Sequence, residues 1–323
     1  MKPQHLALLR IVMSVMLLAL AWRLVDGDSL LRLLRTMDIA LLFIAVALTI
    51  PMHVLSALRW QLTCKRIGMQ LSLPDALREY YLASLLNTVL PGGVSGDAAR
   101  VWRQAERYSE HRVPAATASA QGRSRYRRPL HGVLVERFAG QCALFAVLGM
   151  GVAVNHQRLS PVRDLLLAVV VLIVLAALVW WVLVRQANAA ASSTTRWRSI
   201  VREFHADARH ALLPLPVLAL QSALSLAVVT SYLAIFWVAA QAVHAPLDLA
   251  SALLAIPLVL TAMTLPISVG GLGLRESAAA VLWPALSLSP SDGAASALTY
   301  GVVILIGALP GIPIALMRRR QAA

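Results

Sequence analysis

Leu90-Pro91-Gly92-Gly93-Val94-Ser95-Gly96-Asp97-Ala98-Ala99-Arg100 and Leu265-Pro266-Ile267-Ser268-Val269-Gly270-Gly271-Leu272-Gly273-Leu274-Arg275 are the two stretches that decide how this chain is read. They share Leu, Pro, Val, Gly and Arg at the same five of eleven places, 175 residues apart. Each is a break rich in Pro and Gly within an apolar setting, and each ends in a cation. Proline stops a helix because it lacks an N–H and its ring clashes with the preceding turn, while glycine lets backbone approach backbone closely. Paired interruptions at corresponding places in two related halves mark the binding site of a membrane transporter built from repeats.

The surrounding composition agrees. Of 323 residues, 59% are hydrophobic and 14% charged, with mean hydropathy +0.72, where a soluble chain carries about a quarter charged residues. Residues 165–184 form a twenty-residue apolar run, about 30 Å as a helix and so the thickness of the hydrocarbon core. Full spans are expected at 6–25, 38–58, 131–152, 165–184, 213–241 and 295–317. The first is read as a retained span, because Trp22-Arg23-Leu24 follows its apolar run Ile11–Ala21 where a cleavable leader has small residues. Cys64 and Cys142 make no disulfide framework and no metal spacing, and the eight histidines include no pair at ligand spacing. No metal or other cofactor is expected. The net charge of +14 invites a nucleic-acid reading, but the basic residues cluster at the ends of apolar spans, so no nucleic acid partner is expected.

With the N-terminus on the cytoplasmic side, the inside segments hold 21 Lys and Arg and the outside segments 5. The positive-inside rule selects this orientation, with both termini cytoplasmic in a bacterial inner membrane. Both flanks of segment 74–100 then fall on the basic side, and both flanks of 248–286 on the other. Each segment must enter and leave by one face, as a re-entrant hairpin, and the two enter from opposite faces. The expectation is an all-α polytopic membrane protein forming one integral domain, 1–323. It is an inverted-topology repeat of halves 1–153 and 164–317 joined by 154–163. It has about six full spans plus two re-entrant helical hairpins, or up to eight spans if the hairpin arms cross fully.

Non-helical backbone at membrane depth is tolerated only where it is buried in protein or faces a wet cavity, so the two breaks are expected to line a central cavity. Candidate site residues in the first break are Asn87, Gly92, Gly93, Gly96, Asp97 and Arg100. Those in the second are Gly270, Gly271, Gly273, Arg275 and Glu276. Glu136 and Arg137 lie inside the third span. Asp97 is a favoured N-cap residue for a helix over 98–107, and equally a proton site or the partner of a headgroup amine. Arg100 reads either as a ligand or as the first of the inside charges. Adjacent helix residues do not face each other, so Glu276 is not expected to neutralise Arg275. Arg137 is expected to snorkel or to pair with the other half, and Asn87 to hydrogen-bond exposed carbonyls. Two guanidiniums and a helix start around a mid-membrane cavity suit a phosphate-bearing headgroup.

The pattern Asn87-x-x-Leu90-Pro91-Gly92-Gly93-x-x-Gly96-Asp97-x-x-Arg100 resembles the first signature of the flippase-like family typified by the membrane region of lysylphosphatidylglycerol synthetases. The stretch from Leu265 to Glu276 resembles its second, and Glu136-Arg137-Phe138-Ala139-Gly140 its middle acidic-Arg-x-x-Gly element. The resemblance covers nearly the whole chain. It implies an inner-membrane protein that moves a lipid between leaflets or assists lipid assembly. Its partners would be membrane lipids: a phospholipid, an aminoacyl-lipid, or a polyprenyl- or other lipid-linked intermediate. The chain stops at Ala323, so the aminoacyl-transfer domain of the synthetases is not expected, and an enzyme activity is not the leading reading. No phosphate loop is present, so transport would run downhill or on a proton gradient or the membrane potential, with Asp97, Glu136 and Glu276 as proton-coupling candidates. A membrane-embedded lipid-modifying transferase and a small-solute secondary transporter stay open as alternatives.

Overall fold

The structure is a computed structural model that describes residues 3–90, 93–110, 124–155, 196–212, 215–264 and 268–321. The described residues are helical, with no strand among them. In chain order the helices are α1 (Pro3–Leu24), α2 (Gly27–Arg35), α3 (Ile39–Arg66), α4 (Leu73–Val89), α5 (Ser95–Glu110), α6 (Arg127–Val154), α7 (Arg196–Leu212), α8 (Leu215–Ala242), α9 (Leu249–Ala262), α10 (Leu274–Leu282), α11 (Pro290–Ala308) and α12 (Gly311–Gln321).

Four of these, α3, α6, α8 and α11, are long and apolar enough to cross a membrane. In α1 the apolar stretch is Ile11–Leu24. The apolar run at 165–184 lies outside the described residues. Two expected boundaries differ. The span placed at 38–58 continues to Arg66, because Arg59, Lys65 and Arg66 prolong the helix rather than end it. At 28 residues, α3 is about 42 Å long, well beyond the hydrocarbon thickness. The span placed at 295–317 is two helices, α11 and α12. Pro310 cannot donate to the preceding turn, so the chain breaks there and restarts at Gly311.

Among the described residues, many large apolar side chains stand exposed. Phe43, Ile50, Met150, Leu215 and Val302 are all exposed. A surface of that kind is a liability in water and is the ordinary condition of a helix face in lipid. The main core lies where α3, α8, α9, α10 and α11 meet. Phe236 of α8 sits there between Tyr300 of α11, with ring centroids 4.8 Å apart, and Trp283, at 6.2 Å.

The repeated stretches are both helix–break–helix units. In the first, α4 opens on Ser72, whose hydroxyl caps the Asp75 amide, and closes at Leu90, which adopts the extended backbone favoured before proline. After the break α5 runs back along α4 so closely that a Cβ on Gly96 would stand 2.0 Å from the Ala83 carbonyl oxygen. In the second, α9 opens on the cap residue Asp248. The chain then turns through Gly270, Gly271 and Gly273, all at positive φ, into α10. This turn is latched to α1, where the Val269 amide donates to Ser14 Oγ (2.8 Å) and Ser277 Oγ donates to the Leu17 carbonyl (2.7 Å).

Candidate functional site

The two breaks open on one cavity of about 300 Å³. Asn87, Gly93, Asp97 and Arg100 line it from the first unit, and Gly270, Gly271 and Arg275 from the second. Glu136 and Arg137 reach it from α6, and His53 and Arg59 from α3.

Glu136, only 3% exposed, is the hub of the first-unit side. One of its carboxylate oxygens accepts from Arg59 Nη2 (3.1 Å) and from the Tyr80 hydroxyl, and the other from Arg100 Nη1 (3.1 Å). Arg100 also donates to Asp97 Oδ1 (2.6 Å), and Arg137 donates to the second oxygen of Asp97. Three guanidiniums are thus threaded on two carboxylates. Arg100 is packed between aromatic faces as well, with its guanidinium carbon 4.5 Å from the Tyr80 centroid and 4.7 Å from that of Trp60. Buried ions of this kind persist only when each is paired and hydrogen-bonded, which this arrangement provides. Arg137 is the exception in exposure, since half of its side chain is accessible (51%).

Sequence adjacency misleads at the second unit. Glu276 does neutralise Arg275: its Oε1 accepts from Arg275 Nε (3.0 Å) and Nη2 (2.5 Å). The pair meets because both residues lie in the first turn of α10. Glu276 reaches back there to accept the free Gly273 amide (2.6 Å), and the long Arg275 side chain folds over the same carboxylate. Arg275 also lies over the Tyr300 ring, 5.7 Å from its centroid.

The remaining expected site residues divide by position. Asn87 lines the cavity, but its Oδ1 accepts from the Gly96 amide (2.7 Å), so it pins the start of α5 rather than bonding a carbonyl. Asp97 sits within the first turn of α5, which already begins at Ser95, and its carboxylate serves Arg100 and Arg137 instead of capping. Gly96, Gly273 and Glu276 do not line the cavity. Gly96 lets α4 and α5 touch, and Gly273 abuts α1 with positive φ. Gly92 lies outside the described residues.

The charged residue on the cavity that sequence reading missed is Arg59. It counts there as an inside surface charge, yet it is 6% exposed and lines the cavity. A signal was present: it falls on the helical face of Met52, His53 and Ser56, whose small and polar members face inward. Its partners explain its depth. Besides Glu136, its guanidinium lies 3.4 Å from Ser225 Oγ on α8, and a Cβ on Gly140 of α6 would stand 3.1 Å from it.

Basic residues within α5 and at the start of α6 are tied down by acidic partners. Arg103 and Arg107 pair with Glu79 of α4. The amphipathic α7 packs beside the start of α6 through Arg127–Glu203 (2.8 Å) and His131–Asp207 (2.6 Å), with Phe204 edge-on to His131. The first turns of α6, and with them Glu136 and Arg137, are thereby held from outside the bundle.

A family model described as the lysylphosphatidylglycerol synthase TM region matches residues 7–311. No curated protein matches the chain. With nearly its whole length matched, four helices long and apolar enough to cross a membrane, and both signature stretches on one cavity, this chain belongs to the family of the lysylphosphatidylglycerol synthase TM region.

Proposed function

We propose that the protein moves lipids with an anionic headgroup between the leaflets of the bacterial inner membrane, and that the central cavity is where the headgroup crosses. The observation that carries this reading is the charge arrangement in the cavity. Among the described residues, the three cations Arg59, Arg100 and Arg137 are paired with the two carboxylates of Glu136 and Asp97, while Arg275 is balanced by Glu276. One positive charge is left over for an anion.

The energetics explain why such a cavity is needed. Taking a small ion from water into a medium of low dielectric costs on the order of 20 kcal/mol in the idealised limit. A phosphate crosses only if fixed donors replace its water, whereas the acyl chains can stay in the bilayer throughout. In the absence of lipid, the carboxylates keep the guanidiniums paired. A phosphate entering beside the half-exposed Arg137 would take over the place of Asp97 and receive planar two-point bonds from Arg100 and Arg137.

The topology proposed with this function is the inverted repeat, halves 1–153 and 164–317, with two re-entrant hairpins and both termini cytoplasmic. Its support is the charge asymmetry of the segments and the correspondence of α4–α5 with α9–α10. A site at the repeat interface can then be opened to either leaflet by rocking one half against the other. Leaflet exchange of a fluorescent anionic lipid in liposomes tests the proposal. Exchange faster than in protein-free liposomes is expected, and an equal rate would refute it.

A further inference from the structure

The amphipathic helix α7 sorts its charges by sign. At ~100° per residue, its surface divides into three stripes. Phe204, Ala208, Ala211 and Leu212 make the apolar stripe, which packs with Trp60, Cys64 and Ile67 at the end of α3. Glu203 and Asp207, one turn apart, make the acidic stripe. Both are taken by α6, through Arg127 and His131. The third stripe is basic and turned outward. Arg202 and Arg209 are exposed, ~20° apart around the helix axis, with His205 between them along the chain.

A helix that only needs to stay soluble alternates its signs, so that cations meet carboxylates three or four places away. No Asp or Glu stands three or four places from Arg202 or Arg209. Every carboxylate of α7 is turned toward α6, and the positive charge of the outer stripe is left uncompensated by its own helix. Burial, and then Arg209 beside it, holds the His205 imidazole below the usual histidine range. At neutral pH the stripe therefore carries the charge of two guanidiniums.

The position of α7 says what that charge faces. It packs beside the first turns of α6, and α8 begins at Leu215, directly after its end. α6 and α8 have 28 residues each, about 42 Å of helix against about 30 Å of hydrocarbon, so their ends reach the headgroups. Guanidiniums at that level match the phosphates and carboxylates of an anionic bilayer surface. We infer that α7 docks on anionic lipids of the surrounding leaflet through Arg202 and Arg209, while Glu203 and Asp207 tie it to α6. It is a surface anchor for the cytoplasmic end of α6, and its lipids are separate from any lipid in the central cavity. Such docking is independent of lipid movement through the cavity.

Hydrogen–deuterium exchange of the α7 amides in the full chain tests this. The protein is held in nanodiscs of phosphatidylcholine alone or of phosphatidylcholine mixed with phosphatidylserine. Two cations near an anionic surface should slow amide exchange over 202–212 roughly tenfold in the mixed bilayer. Salt at about 1 M, where the Debye length falls to ~3 Å, should remove the difference. Arg202→Gln with Arg209→Gln should match wild type in phosphatidylcholine and gain no protection from phosphatidylserine. Arg202→Lys with Arg209→Lys keeps both charges and should retain most of the gain. Equal wild-type amide exchange in the two bilayers would overturn the inference, and so would a phosphatidylserine effect that survives in the Gln variant. Should the Gln variant unfold α7 in phosphatidylcholine, wild type decides: a phosphatidylserine effect that persists in high salt overturns the inference. An acidic protein is the rival occupant. If polyglutamate protects α7 in phosphatidylcholine nanodiscs and phosphatidylserine does not, the stripe docks a protein and the membrane assignment falls.

Discussion

The carbonyl of Thr88 lies against the backbone of Gly270: a Cβ built on Gly270 would stand 2.3 Å from that oxygen. Thr88 is in the last turn of α4 and Gly270 in the turn that precedes α10, so the two broken units touch backbone to backbone at their breaks. Both residues line the cavity. The contact is what brings two stretches 175 residues apart in sequence to a single site.

Gly270→Ala should therefore be damaging for two reasons. Its φ is +56°, where an L side chain costs about 1–2 kcal/mol, and the added methyl would force the units apart, a further ~1–3 kcal/mol of overpacking. Gly93→Ala provides the comparison. Its φ is +60°, but no atom lies within 4 Å of the new Cβ. Thermal unfolding in detergent should show a clearly larger fall in Tm for Gly270→Ala, together with loss of lipid exchange. Equal effects of the two would mean that the Thr88 contact is not required.

Gly301 of α11 makes room for Arg275. A Cβ there would lie 2.0 Å from Arg275 Nη2. Gly→Ala within a helix normally stabilises by about 1 kcal/mol, so the sign of the effect is diagnostic. Gly301→Ala should lower stability and lipid exchange by expelling the guanidinium. Gly149→Ala on α6, where no atom lies within 4 Å, should be neutral or stabilising. Melting curves of the two variants side by side check this.

Glu136→Gln should cost about 3–5 kcal/mol, because it leaves Arg59 and Arg100 buried beside a neutral amide. Removing Arg59 at the same time restores the charge balance. In a double-mutant cycle, Glu136→Gln with Arg59→Gln should be less destabilising than the two single costs added together. Strict additivity would show that the two do not act as a pair.

The partly exposed Arg127–Glu203 pair should behave differently. Exposed ion pairs contribute roughly 0–1 kcal/mol, so Glu203→Ala should shift the melting temperature little and leave exchange near the wild-type rate. A large loss of exchange would assign α7 a role beyond bracing α6.

Much of this arrangement is legible in the sequence, and the remainder is missing for identifiable reasons. The spans read at 38–58, 131–152 and 213–241 follow from predominantly apolar runs and fall within or close to the helices at 39–66, 127–154 and 215–242, and the broken units follow from Pro91, Pro266 and the neighbouring glycines. Arg59 is legible only in part: it falls on the helical face of Met52, His53 and Ser56, but its partner Glu136 is 77 residues away and only tertiary contact pulls both inside. The Arg275–Glu276 pair runs against a rule for helix interiors; it forms because the first turn of α10 has free amides that draw Glu276 backward. The break at Pro310-Gly311 is visible in the sequence, but an apolar run on both sides masks it.

The most direct test of the central claim is the rate of anionic-lipid exchange in liposomes containing wild type, Arg100→Ala, Arg275→Ala, or the corresponding Lys variants, each first shown to be folded in the membrane. Charged hydrogen bonds of about 1.5–3 kcal/mol imply a fall of roughly ten- to a hundredfold for each Ala variant. Partial recovery with Lys is expected, since an ammonium lacks the planar fork. If the folded Ala variants exchange lipid at the wild-type rate, the cavity between the two breaks is not the path of the headgroup.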